Sequence, residues 1–209
     1  MPGKKAPEEL RREQILQAAF RVAVREELEQ MTIRQVAAEA GLSTGLVFFH
    51  FKSKQALLLA LLDCLLESLY ETWEVSETLS PSERLLAWFQ LDLQDLQPYE
   101  DLSRDEQGHI KLFFSYWMLA ANDPAIDERM KAAHERSRQT LLPIVRAVID
   151  SQPERFRHVT PEGLVTVVLA VTHGVAMQSL LSTHRIDVEH ILAALRALLL
   201  PSSPEEKAR

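Results

Sequence analysis

The sequence predicts an all-α protein, with a small three-helix unit at its N-terminus and a larger helical domain behind it. Three observations carry that prediction. Apolar residues recur at helical spacing over most of the 209 residues, and no run alternates apolar with polar long enough for a strand. Glycine and proline, six and ten, are scarce and fall mostly where helices start or stop. A hydrophobic share of 46% beside 25% charged residues is that of a globular chain, which argues against disorder or a fibre. The length suits one sizeable core or a small domain attached to a larger one.

The first helix runs from about 8 to 27, with Ile15, Leu16, Ala19, Phe20 and Ala23 as its apolar stripe. A second covers about 33 to 39, where the Thr32 hydroxyl can accept from free N–H groups of the first turn as N-cap. The third opens at Ser43. From about 54 a leucine-rich helix runs to "SETLSPSE", where Pro81 interrupts it and Ser80 or Ser82 caps the next, over about 82 to 97 and ending before Pro98. Over 105 to 121, Ile110, Phe113, Phe114, Trp117, Met118 and Ala121 keep helical spacing without a gap and predict one aromatic face. "NDP" starts a helix over about 124 to 151 that Pro143 should kink or divide. In "TPEG", Thr160 caps and Pro161 begins a helix to about Ser182 that is apolar on nearly every face, and "DVEHILAALRALLL" forms the last. The N-terminal arm and the tail "SSPEEKAR" have the composition of disordered segments.

Cys64 is the only cysteine, so no intramolecular disulfide can form; a small core residue in a reducing, cytoplasmic setting is the plain account of it. "MPGKKAPEELRREQ" lacks the apolar run of a signal peptide, and no stretch is expected to approach the roughly 18 apolar residues that span a bilayer, so no membrane partner is expected. The net charge of -7 is uneven. Residues 1 to 55 hold nine Lys/Arg against seven Asp/Glu, for +2, and the rest fourteen against twenty-three, for -9. Catalysis is not supported: there is no P-loop, no nucleophile elbow and no HExxH, and the seven histidines show no spacing that sets two ligands on one helical face. No catalytic residue, metal or cofactor is expected. His173, on an apolar helix, reads as a hydrogen-bonded core or pocket residue.

Residues 41 to 51, "GLSTGLVFFHF", are the most informative stretch. Ala37 lies four residues before Gly41, with Leu42 next and a capping Ser43 after it. A helix-turn-helix needs a small residue where its helices touch, a glycine free to turn left-handed and an apolar plug in the angle. A plain helical hairpin meets the same spacing. Residues 32 to 58, "TIRQVAAEAGLSTGLVFFHFKSKQALL", closely resemble the DNA-binding signature of the tetracycline-repressor (TetR) family, matching at Thr32, Arg34, Val36, Ala37, Gly41, Ser43, Gly45, His50, Phe51, Lys54 and Leu57.

That resemblance implies a helix-turn-helix DNA-binding domain over 1–53, with a short flexible arm, and a helical effector-binding and dimerisation domain over 54–209. The third helix becomes the recognition helix in the major groove, while the second crosses the backbone. Arg34 takes the place of a base-contacting arginine, able to pair bidentately with guanine. Thr44 and Gly45 stand at the start of the recognition helix, where a side chain or bare backbone can approach a base, and Ser43 faces outward beside them. Thr32, His50 and Lys54 match phosphate contacts. Phe51 and Phe49 are expected to pack the three-helix unit. Two positions depart from the pattern: Phe48 replaces a tyrosine that bonds a phosphate, and Leu46 a frequent threonine. Lys4 and Lys5 can reach a groove or remain solvated. Each contact also has a plain alternative: Arg34 as a surface charge, His50 as a structural residue, Ser43 as a cap alone.

For the rest of the chain the resemblance implies a small-molecule receptor and a homodimer held by the last two long helices, acting on a palindromic operator. The helix at 164 to 181 mixes Ala170, Gly174 and Ala176 with branched residues all round, as a helix packed on both sides would. Trp73, Trp88, Phe89, Phe113, Phe114, Trp117 and Met118, with Tyr70 and Tyr116, come from the helices that enclose the family's ligand pocket; each is equally a core aromatic. "FFSYWMLAANDPAIDERM" also resembles the choline-responsive repressors of betaine synthesis. The function expected is repression relieved by a small apolar or aromatic-caged ligand. The alternative is a regulator with a filled C-terminal core, controlled by a protein partner or by no ligand.

Overall fold

The computed structural model describes residues 8–68, 76, 78–94, 105–181 and 187–199. Lys4, Lys5, Tyr70, Trp73 and the tail "SSPEEKAR" lie outside the described residues. Among the described residues there is no strand. The helices are α1 Glu8–Glu26, α2 Ile33–Glu39, α3 Thr44–His50, α4 Lys54–Ser68, α5 Pro81–Gln94, α6 Asp105–Ala120, α7 Pro124–Ser151, α8 Pro153–Phe156, α9 Pro161–Leu181 and α10 Val188–Leu199.

Two compact units divide the chain: Met1–Glu71 with Gln107–Ala132, and Thr72–Glu106 with Ala133–Arg209. In the first, Ile15, Ala18, Ala19 and Val22 of α1 are buried with Val36 and Ala37 of α2, Val47 and Phe51 around α3, and Leu57, Leu58, Leu61 and Leu62 of α4. Tyr116 of α6 is fully buried, and its hydroxyl donates to the Leu58 carbonyl at 2.7 Å, which ties α6 to α4. In the second unit, Leu85, Leu86, Trp88 and Phe89 of α5 share a core with Leu141, Val145 and Val148 of α7, Phe156 of α8, Val165, Val168 and Leu169 of α9, and Leu195 and Leu199 of α10.

Several expectations are corrected. Phe49 does not pack the three-helix unit; it is 64% exposed, because Val47 and Phe51 already fill the buried side of α3. Cys64 is exposed on α4 rather than in the core, and burial of part of its side chain still holds the thiol above its usual range. α7 runs through Pro143 undivided. Pro143 and Gln139, whose carbonyl loses its usual partner, are both exposed. α6 buries Gly108, Leu112 and Tyr116, whereas the expected stripe is half-buried at Phe113 and Phe114 and open at Trp117 and Met118. The one-turn α8, with Pro153 in its first turn, went unforeseen. α9 is, by length and composition, apolar enough to cross a membrane, contrary to the expectation that no stretch approaches that length. One side of it nevertheless lies in the core of the second unit.

Candidate nucleic-acid interface and effector face

The turn between α2 and α3 is built by local bonds. Gly41 takes a left-handed φ of 66°, which lets Leu42 N–H reach the Ala37 carbonyl at 2.8 Å and Gly41 N–H that of Ala38 at 3.1 Å. That pair of bonds is a Schellman ending, and it needs a residue without a β-carbon penalty. Gln14 of α1 donates to the Ala40 carbonyl at 2.8 Å, satisfying a further carbonyl at the end of α2. Ser43 then caps α3, its hydroxyl accepting from Leu46 N–H at 3.2 Å.

Most of the sequence-predicted contacts sit at helix starts, whereas Phe48 and His50 lie in the last turn of α3. Thr32 and Arg34 open α2, Ser43, Thr44 and Gly45 open α3, and Lys54 opens α4. Thr32 is occupied locally in a capping box: its hydroxyl accepts from Gln35 N–H and donates to the Gln35 side chain, whose oxygen also receives the Thr32 N–H. Arg34 is exposed and, among the described residues, has no hydrogen-bond or ion-pair partner, so its guanidinium is available to a base edge. Thr44, Gly45 and Phe48 are exposed on one side of α3, and Phe48 is 47% exposed. A β-carbon at Gly45 would meet only the Ser43 hydroxyl at 3.9 Å. His50 is half-buried, with Nδ1 enclosed and without a hydrogen-bond partner among the described residues. Lys54 Nζ donates to the Glu29 carbonyl at 2.6 Å, so one of its three N–H groups is committed and two remain.

Neighbouring cations are used within the protein. Arg21 and Arg25 both pair with Glu39, at 2.8 and 3.2 Å, and the Arg21 guanidinium first, then Arg25, hold that carboxyl below its usual range. Arg12 stacks on the Phe51 ring at 4.4 Å and donates to the His50 carbonyl at 3.0 Å, fixing the end of α3 against α1. Neither Arg12 nor Gln14 was anticipated. Each lies on α1 among the polar positions beside Ile15, where spacing gives no hint of a partner some 26 or 38 residues away.

On α6 the rings of Phe113, Phe114 and Trp117 form one cluster, with centroids 5.5, 5.6 and 6.2 Å apart. Trp117 is 42% exposed and Met118 74%. Trp88 and Phe89, expected beside them, are fully buried in the core of the second unit, in edge contact at 5.5 Å. The first turns of α6 meet α1. Lys111 Nζ donates to the Val24 carbonyl at 2.8 Å, His109 lies 4.4 Å from the Phe20 ring, and Gly108 abuts Val24 and Phe20. Among the described residues no group of three or more His, Cys, Asp or Glu is placed to hold a metal.

Residues 15–61 match the profile of the bacterial regulatory proteins of the tetR family, and residues 96–200 that of the C-terminal domain of BetI-type transcriptional repressors. No curated protein sequence matches the chain significantly. Among solved structures, it is similar to a transcriptional regulator from Rhodococcus sp. Rha1, at 24% identity over 90% of this chain and 95% of that one, with a TM-score of 0.72. A regulator from Saccharomonospora viridis in complex with choline is also 24% identical, over 91% of this chain and 95% of that one, with a TM-score of 0.72. The same identity, coverages and TM-score hold for a TetR transcription regulator from Haloarcula marismortui ATCC 43049. At that identity the likeness carries the fold alone. The two profiles name regulators of transcription and not enzymes, and they span both ends of the chain. The chain belongs to the TetR family, a DNA-binding transcriptional regulator with a C-terminal domain of BetI type.

Proposed function

We propose that the chain is a homodimeric repressor, bound to a palindromic operator through residues 1–53 and released when a small molecule engages the helical domain over 54–209. The observation that carries this reading is the double attachment of α6. One stretch of that helix presents Phe113, Phe114 and Trp117, while its first turns contact Phe20 and Val24 of α1 and Tyr116 bonds α4. A molecule that prefers one position of α6 therefore biases the helices that carry Arg34, Thr44 and Lys54. It need only bind one conformation better than the other.

The three rings suit a flat, apolar or quaternary ammonium ligand. Cation–π attraction supplies roughly 0.5 to 2 kcal/mol per ring, and the relative from Saccharomonospora viridis holds choline. The dimer reading is supported by the exposed apolar side of α9 and α10, with Val167, Met177, Leu181 and Leu198 beside Ala170, Ala194 and Ala197. A two-fold pair matches a two-fold operator. That face, and not a lipid bilayer, accounts for the apolar composition of α9, and a regulator of this kind works in the cytoplasm. A second reading is favoured by the complete burial of Trp88 and Phe89: the second unit is filled by its own side chains, and control comes from a protein partner or not at all.

The test is a titration of operator-bound protein with choline and with uncharged aromatic and aliphatic molecules, following tryptophan fluorescence and DNA release. Ligands that quench fluorescence and release DNA, and fail to do either in Trp117→Leu, support the first reading. Quenching without release sinks the coupling. Sedimentation of Val167→Glu and Leu198→Glu checks the dimer, which should dissociate.

A further inference from the structure

We infer that Phe49 is a specificity-determining residue that reads thymine through its 5-methyl group, a reading that rests on operator binding by α3. At 64% exposure, Phe49 forgoes most of the stabilisation that burying its ring would bring. The ring is also held in place. His50 meets it edge-on at 5.2 Å and 89°, while Lys52 Nζ lies 5.4 Å from its centroid and donates to the Phe49 carbonyl at 3.0 Å. An exposed aromatic fixed in one orientation, with a cation on its flank, suits a partner that offers an apolar group next to an anion.

Position on the helix identifies that partner. At 100° per residue, Phe49 stands one turn beyond Gly45, and both face away from buried Val47, while exposed Phe48, one turn beyond Thr44, flanks them. Gly45 leaves open space there, with only the Ser43 hydroxyl within 4 Å of where a β-carbon would stand. A step is left between bare backbone and the Phe49 ring. In the major groove the bases offer polar edges with one exception, the C5 methyl of thymine, and phenyl has no atom with which to read the polar edges. The Lys52 ammonium on the ring's flank then suits the adjoining phosphate.

The experiment uses the full-length protein and an operator obtained by in vitro selection, with each thymine replaced in turn by deoxyuridine, which removes only the methyl. At one position per half-site the wild type should lose about three- to tenfold in affinity, the scale of one buried methyl. Phe49→Ala should lose a similar factor on the thymine operator and become indifferent to that replacement, while Phe49→Leu keeps part of the discrimination and Arg34→Ala all of it. Thermal melts confirm that these surface variants fold. A wild type indifferent to every methyl, or a Phe49→Ala that still discriminates, overturns the proposal while operator binding stands. Failure of the wild type to select any operator would instead remove the reading beneath it. Unchanged DNA binding by Phe49→Ala, with lost binding to phosphatidylglycerol vesicles, would assign the ring to a lipid surface and overturn the proposal as well.

Discussion

A β-carbon on Gly108 of α6 would stand 2.9 Å from Cγ2 of Val24 on α1, with Phe20 Cζ at 3.2 Å behind it. The two helices therefore meet where one has no side chain. Replacing a helical glycine by alanine ordinarily stabilises by about 0.5 to 1 kcal/mol. Here the added methyl must displace a valine whose χ1 is stiff, and overpacking of this kind costs about 1 to 3 kcal/mol. Gly108→Ala should therefore lower stability in chemical denaturation, and Val24→Ala in the same chain should restore part of the loss. A more stable Gly108→Ala would show that α6 does not press on α1.

Arg34 and Lys54 should fail differently on DNA. Arg34 has no partner among the described residues, so Arg34→Ala should leave the melt unchanged. It should cost about 1 to 3 kcal/mol on the cognate site and relax preference at one base pair. Lys54 holds the Glu29 carbonyl, so Lys54→Ala should lose about 1 kcal/mol of stability, bind all sequences more weakly and reduce the salt slope by about one. Binding isotherms at several salt concentrations, on cognate and scrambled DNA, separate the two. Full affinity and selectivity in both variants would refute the assignment.

What the sequence made legible follows from range. The caps at Thr32 and Ser43 and the left-handed Gly41 depend on neighbours within five residues, and all three stand as read. The face of α6 did not. Counting apolar residues selects Phe113, Phe114 and Trp117, but burial selects Gly108, where α1 needs room, and Tyr116, whose hydroxyl needs the Leu58 carbonyl. Neither need is visible from α6 alone. Phe49 misled for a related reason: a phenylalanine reads as core until the buried side of its short helix is known to be full. The commitment of Lys54 to Glu29, 25 residues away, was equally beyond any local pattern.

At the end of α1, Glu27 has a φ of 72°, a left-handed conformation that favours glycine. Gln30 and Met31 N–H groups both turn back to its carbonyl at 3.2 Å, so the conformation is fixed by the turn and not by the side chain. Strain of roughly 1 kcal/mol at a non-glycine residue should be released by Glu27→Gly, offsetting glycine's entropy cost. Thermal melts should show equal or higher stability. A clear fall would mean that the Glu27 side chain, which accepts from Gln30 at 3.2 Å, contributes more than the strain removes.

Acid should weaken the protein in a window set by His173. Burial first, and the nearby His134 second, pull its pKa down to about 4, whereas in the unfolded chain it titrates near 6.5. Between those values the unfolded state binds a proton that the folded state refuses, so stability rises with pH there and is lost as pH falls below about 6.5. At pH 5 the loss should be about 1 to 2 kcal/mol relative to pH 7. The carboxylates held low by partners, Glu39 by Arg21 and Asp123 by Gln55, give the same sign, but they begin to matter only near their unfolded values of 4.5 and 3.8. Denaturant titrations of wild type and His173→Gln at pH 7 and pH 5 isolate the histidine. The variant should lose less on acidification than the wild type, and an identical loss in both would mean that His173 already takes up its proton in the folded state near pH 6.5.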